Sequence, residues 1–220
     1  MSDSPPASVP ASPTLSPARL TVLTWVHARA GSGVAVSGRC GEYEEACYPL
    51  DTEATRRYEG PRRSACGLFG ETSLRVGGVK HALLSIPFAN RVGMAVADIQ
   101  TIAHQADAWC QFGAGQGTPM PGDLMLIDDD PIGKVDRAHI IVVTEYVPQV
   151  GGEYGDTARM DSVDGGQILL GGNAITDRRR YLKLSPGGKV WTYADEACTQ
   201  IDRRVYGWLD LDATLAKFGN

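Results

Sequence analysis

The chain has 220 residues, 43% of them hydrophobic and 21% charged, with a formal net charge of −5. That is enough chain for one real hydrophobic core and an ordinary balance for a soluble globular protein. The negative charge argues against nucleic-acid binding, which relies on a basic stripe; the clusters Arg56-Arg57, Arg62-Arg63 and Arg178-Arg179-Arg180 read as solvated surface.

Residues 1–18 are mostly Ser, Pro and Ala, cannot pack a core, and read as a disordered tail ahead of a single domain over 19–220. They lack the basic start and apolar stretch of a secretory signal, so synthesis in the cytoplasm is expected. No apolar run approaches the roughly 20 residues that span a bilayer. From Arg19 to about Ala30, Leu20, Leu23, Trp25 and Val26 suit a short helix that ends at Gly31 and Gly33. Residues 31–60 read as loop with short helical pieces. Cys40 and Cys47 lie there and could bridge only in an oxidising compartment; five cysteines at irregular spacing make no disulfide framework, and without a C-x-x-C pair a structural zinc site is not expected.

Ser64 is a plausible N-cap for a helix that runs through Cys66 and Glu71 and stops at Gly77-Gly78. A second helix is expected over Val92–Trp109, with Val96, Ile99, Ile102, Ala103 and Ala106 on one face. After a Gly/Pro loop at 113–122 the periodicity turns to strands: Leu124–Ile127, Ala138–Tyr146, Arg159–Val163, then Arg180–Leu184 and Val190–Tyr193 around a hairpin turn at 185–188, and Val205–Leu209. Helices first and antiparallel strands after imply an α+β domain, a helix packed on a twisted sheet.

Chemistry concentrates at three places. Cys66 falls in the first turn of its helix, where the dipole and unpaired amides favour thiolate; the competing reading is an inert core cysteine. His139 opens a half-buried strand after small Ala138 and can project toward a helix terminus, as a Cys–His pair requires; His27 and His104, in helices, and His81, in a linker, fit a packing role better. The segment Asp161-Ser162-Val163-Asp164-Gly165-Gly166-Gln167 lies at the end of the next strand, the natural source of an acceptor that orients an imidazole. Asp164 and Gln167 are candidates there, with Asp161 a further one, although Asp-Gly-Gly also reads as plain turn chemistry. Elsewhere, Gly113–Gly117 lacks a dinucleotide spacing and Asp128-Asp129-Asp130 lacks the alternation of a calcium loop.

A Cys at a helix start, then Pro121-Gly122-Asp123-Leu124, then a strand-opening His with a β-branched tail resembles the NlpC-type and CHAP cysteine hydrolases over roughly residues 56–167. The resemblance implies a papain-like fold and cleavage of peptide or amide bonds in bacterial cell walls, with Cys66 as nucleophile, His139 as base, and no metal or organic cofactor. Tyr58-Glu59-Gly60 is similar to the family's Tyr-x-Gly segment, which gives Tyr58 an oxyanion role. Val163–Gln167 is similar to the CHAP Glu-Gly-Asn turn, so Asp164 would orient His139 and Gln167 add a polar contact. Ser64-Ala65-Cys66-Gly67 departs from the usual Asp-Cys-Ser-Gly, the second His common in NlpC proteins is missing, and the 78–122 segment is long enough to shape a cleft or hold a lid. Peptidoglycan stem peptide is the implied substrate. A signal-less wall hydrolase resembles antibacterial effectors delivered by a type VI secretion apparatus, or phage-associated lysins, and would be a monomer partnered by an immunity protein. Deamidation or acyl transfer on a protein or lipid, and a non-enzymatic binding module, are the alternatives the scaffold allows.

Overall fold

A computed structural model describes residues 14–31, 65–85, 96–113, 115–128, 138–150, 157–169, 172–184, 189–194 and 199–219. Residues 1–13, the 32–64 segment with Tyr58, Ser64, Cys40 and Cys47, and the 185–188 turn lie outside them; residues 14–18, expected to belong to the disordered tail, are ordered instead, with Ser16 capping the first helix and Pro17-Ala18 opening it. Helix α1 spans Pro17–His27, two residues earlier than its apolar pattern suggests. Ser16 caps it by accepting from the Arg19 amide, and Pro17 supplies a first residue whose missing N–H costs nothing there. Helix α2, Ala65–Val76, ends where Gly78 takes a positive φ of 95°. Trp25 of α1 and Phe69 of α2 pack with ring centroids 5.5 Å apart.

A single helical turn, α3 (Ala82–Ser85), leads on to α4, Val96–Gln105. The helix expected over 92–109 stops short because Asp107 turns to φ 53°, and Trp109-Cys110 become the short strand β1 instead. The remaining strands are β2 (Leu124–Asp128), β3 (Ala138–Val150), β4 (Thr157–Leu169), β5 (Gly172–Leu184), β6 (Lys189–Ala194) and β7 (Thr199–Leu209). A final helix, α5 (Leu211–Phe218), is capped by Asp210, whose carboxylate accepts from the amides of Asp212 and Ala213. The sequence reading had no helix there.

The strands form one antiparallel sheet in the order β1-β7-β2-β3-β4-β5-β6, and β7 also pairs with β6. Residues 199–204 of β7 lie against β6 and 205–209 against β2, so the ladder from β2 to β7 closes on itself. The protein is an α+β domain. Its strands run longer than their apolar patterns. In particular, the Asp161–Gln167 segment is not a strand end. Strand β4 continues through it to Leu169 by way of a bulge between Gly165 and Gln167, with Gly166 at φ 77° as the inserted residue.

The sheet is buried on both faces along β2 and β3. Leu124, Leu126, Ile140 and Val142 join Val22, Phe69, Leu74 and Ile102 under the helices. Met125, Ile127, Ile141 and Val143 alternate to the other face and pack with Met160, Leu182 and Trp208. This explains why β2 reads as an unbroken apolar run. Helix α2 lies on β3 and β4, and it comes so close that a Cβ on Gly70 would stand 2.8 Å from Ile140 Cγ2 and 3.0 Å from Ile99 Cδ1.

One buried cation ties the ends of the domain together. The Arg19 guanidinium reaches Asp123 (2.7 Å), Asp210 (2.9 Å) and Asp212 (2.6 Å), and donates to the Pro121 carbonyl (2.9 Å). Among the described residues no helix is long and apolar enough to cross a membrane.

Candidate active site

Cys66 is the second residue of α2, half-buried at the edge of the helix-side core. His139 is the second residue of β3 and only 3% exposed. The two share a side-chain hydrogen bond. Register places the third group: Ile141 faces Asp164 across β3 and β4, so His139 and Asp164 are diagonal neighbours on one face. Asp164 is wholly buried, with Oδ2 at 3.4 Å from His139 Nε2. The three elements α2, β3 and β4 thus bring Cys66, His139 and Asp164 together.

The electrostatics follow from burial and pairing. Burial alone would lower the His139 pKa, but the hydrogen bonds and negative charge of Asp164 and Cys66 outweigh it and raise it from 6.5 to about 9. Burial pushes Asp164 the other way, yet the charge of Arg180 and the bond to His139 hold its carboxyl well below the usual carboxylate range. At neutral pH the imidazole therefore carries a proton and faces an anion.

Behind Asp164 stands a residue that the sequence reading misassigned. Arg180 of β5 is not solvated surface but buried, 8% exposed. Its Nη1 donates to Ser162 Oγ at 2.6 Å and to Asp164 Oδ1 at 3.1 Å, while its Nη2 bonds Asp164 Oδ2. The Ser162 hydroxyl donates onward to Asp164 Oδ1 at 2.6 Å. Arg179, by contrast, is exposed and clamps Asp161 through two bonds of 2.9 Å each, which occupies Asp161 away from His139. Gln167 lies past the bulge, paired in the ladder with Ala174; its side chain is outside the described residues. A strand-parity signal for Arg180 did exist, since it lies two residues before core Leu182. Reading the three arginines as one surface cluster passed over it.

The Asp of Pro121-Gly122-Asp123-Leu124 has a structural task. Its carboxylate accepts from the amides of Met120 (2.7 Å) and Leu211 (3.0 Å) and pairs with Arg19. Burial raises its pKa to about 7 against the pull of these partners. The other described histidines serve elsewhere: His81 Nε2 meets Gln105 Oε1 at 2.6 Å and its ring meets Phe218 edge-on, while His104 lies 5.6 Å from the Trp109 ring. Cys110, like Cys66, is a thiol outside any disulfide, but burial and the nearby Asp210 and Asp123 push its pKa up, which disfavours thiolate. Among the described residues no group of His, Cys, Asp and Glu is arranged to hold a metal ion.

Compared with known proteins, the chain matches no family model, no curated protein and no solved structure. The chemistry of the site therefore rests on its own geometry: a thiol at a helix start, an imidazole bonded to it, and a buried carboxylate behind the imidazole.

Proposed function

We propose that the protein is a papain-like cysteine hydrolase of the NlpC/CHAP kind, cleaving a peptide or amide bond in peptidoglycan stem peptides. The observation that carries this reading is the hydrogen bond between Cys66, in the first turn of α2, and His139, itself backed by buried Asp164. An imidazole with its pKa near 9 stays protonated at neutral pH and favours thiolate beside it. The thiolate attacks the carbonyl carbon, and amides at the start of α2 hold the developing oxyanion, with Tyr58 assisting. Collapse expels the amine, which takes its proton from His139. Neutral His139 then draws a proton from water, the resulting hydroxide opens the thioester, and the acid leaves with Cys66 restored. The resemblance to the CHAP turn assigns Gln167 a further polar role. The chemistry asks for no cofactor.

The resemblance to wall-cleaving families supports a role as an antibacterial effector exported by a type VI route, with a cognate immunity protein in the producing cell. Digestion of purified peptidoglycan by the wild-type protein and by Cys66→Ala, with products separated by mass, tests the reading. New muropeptides from the wild type alone are expected, and their masses name the bond. A silent digest with Cys66 still quickly alkylated would move the substrate to a protein or lipid amide. A silent digest with a sluggish Cys66 would overturn the enzyme altogether and favour a binding module.

A further inference from the structure

We propose that Arg180, acting through Ser162 and Asp164, is a positioning residue that keeps the His139 proton on the imidazole and so sustains the reactive state of Cys66. The inference rests on the reading of Cys66 and His139 as nucleophile and base. Each strand of the β3–β4–β5 run contributes a charged group to one line: His139, Asp164 and Arg180. Thr176 is the rung opposite Asp164, and Arg180 is the rung opposite Met160, so the arginine side chain runs along the sheet past Ser162 to reach the carboxylate. Side chains of Arg180, Asp164 and His139 are 9%, 0% and 4% exposed, which removes water as a competing partner.

The geometry has two consequences. Three donor contacts, two from the guanidinium and one from the Ser162 hydroxyl, fix both oxygens of Asp164 and leave the carboxylate with a single orientation toward His139 Nε2. The guanidinium charge also makes Asp164 a poorer base. A wholly buried carboxylate with no cation behind it would take up a proton, either from solvent or from the imidazolium itself. Either event would strip His139 of its anionic partner and return Cys66 to the thiol. The titratable groups that meet at this point are Cys66 from α2, His139 from β3, Asp164 from β4 and Arg180 from β5; Asp161 and Arg179 pair with each other on the opposite face of their strands.

The test is the pH profile of Cys66 alkylation by iodoacetamide, read at the Cys66 peptide by mass, in full-length wild type, Arg180→Met, Arg180→Lys, Asp164→Asn, and Asp164→Asn combined with Arg180→Met. Circular dichroism and thermal melting monitor folding. In wild type, fast alkylation is expected from about pH 6 upward. In Arg180→Met the rate near neutrality should fall about tenfold or more, with the rising limb moved up by about one unit or more, while Arg180→Lys, which keeps the charge but not the fork, falls between Met and wild type. On the Asp164→Asn background Arg180→Met should add nothing, because the arginine acts through the carboxylate; this double variant also removes the buried pair as a whole and guards against loss of folding. A fast wild-type profile left unmoved by Arg180→Met, or full additivity in the double variant, would overturn the role of Arg180 alone. A wild-type Cys66 no faster than free cysteine would overturn the catalytic reading and this inference with it.

Discussion

The His139–Asp164 pair binds protons differently from the unfolded chain, so it links folding to pH. His139 is raised from 6.5 to about 9. Its contribution is complete below about pH 6.5 and fades as pH rises through about 9. Asp164 is depressed, so its contribution is present above about pH 4 and fades as pH falls further. Thermal melting should therefore show a plateau between these limits. In Asp164→Asn the alkaline decline should shrink, because His139 loses its largest raising partner; an unchanged decline would mean that other groups carry it. The same substitution is expected to cut hydrolysis by about 100-fold or more with substrate binding little altered, as measured by kcat against KM. At this scale much was legible in the sequence. Cys66 and His139 stand out because their residue types sit at element starts, where a dipole or a strand end makes chemistry feasible. Asp164 could be shortlisted but not separated from Asp161 and Gln167, since the choice depends on strand register. Arg180 was read as solvent-facing for the same reason: three consecutive arginines look alike until pairing shows that Arg179 and Arg180 point to opposite faces.

Among the elements, α2 depends on one missing methyl group. Gly70 lets the helix lie against Ile140 and Ile99, and Ile140 follows His139 directly in β3. In Gly70→Ala the stiff, β-branched Ile140 must give way or the helix must lift. The expected cost is about 1–3 kcal/mol in urea unfolding, together with slower Cys66 alkylation as the thiol is carried away from the imidazole. A loss of stability with unaltered alkylation would place the adjustment in the side chains of Ile140 and Ile99 rather than in the helix. Helix α2 itself was predictable from the Ser64 cap signal and its glycine stop, and α4 was foreseen too long, because an apolar face cannot reveal that Asp107 turns to positive φ. Strand lengths were the poorest guess. Strands β4 and β5 continue through charged and glycine-rich stretches such as Asp164-Gly165-Gly166, where backbone pairing and a bulge replace side-chain periodicity as the organising force.

Across the whole molecule, helices-then-strands pointed correctly to an α+β domain, whereas the closing of the ladder and the Arg19 junction were invisible. Both join residues far apart in the chain, and local pattern carries no information about such pairs. Arg19 and Asp123 have side chains 3% and 1% exposed, so removing one partner leaves a buried charge without its counter-ion. Arg19→Met is expected to cost about 3–5 kcal/mol, seen as an earlier urea midpoint, with part of the loss recovered when Asp123→Asn is added. Equal stability of Arg19→Met and wild type would mean that Asp123 is already neutral in the native state, in keeping with its pKa near 7.

The double pairing of β7 also sets a timetable for biosynthesis. Cys66, His139, Asp164 and Arg180 all leave the ribosome before Thr199, the first residue of β7. Until residues 199–209 follow, β2 and β6 lack the strand that joins them, and until Asp210 and Asp212 follow, Arg19 has only Asp123 among its carboxylates. A nascent chain thus carries its reactive groups well ahead of the frame that steadies them. The frame is complete only once β7 and the two carboxylates that follow it have been made.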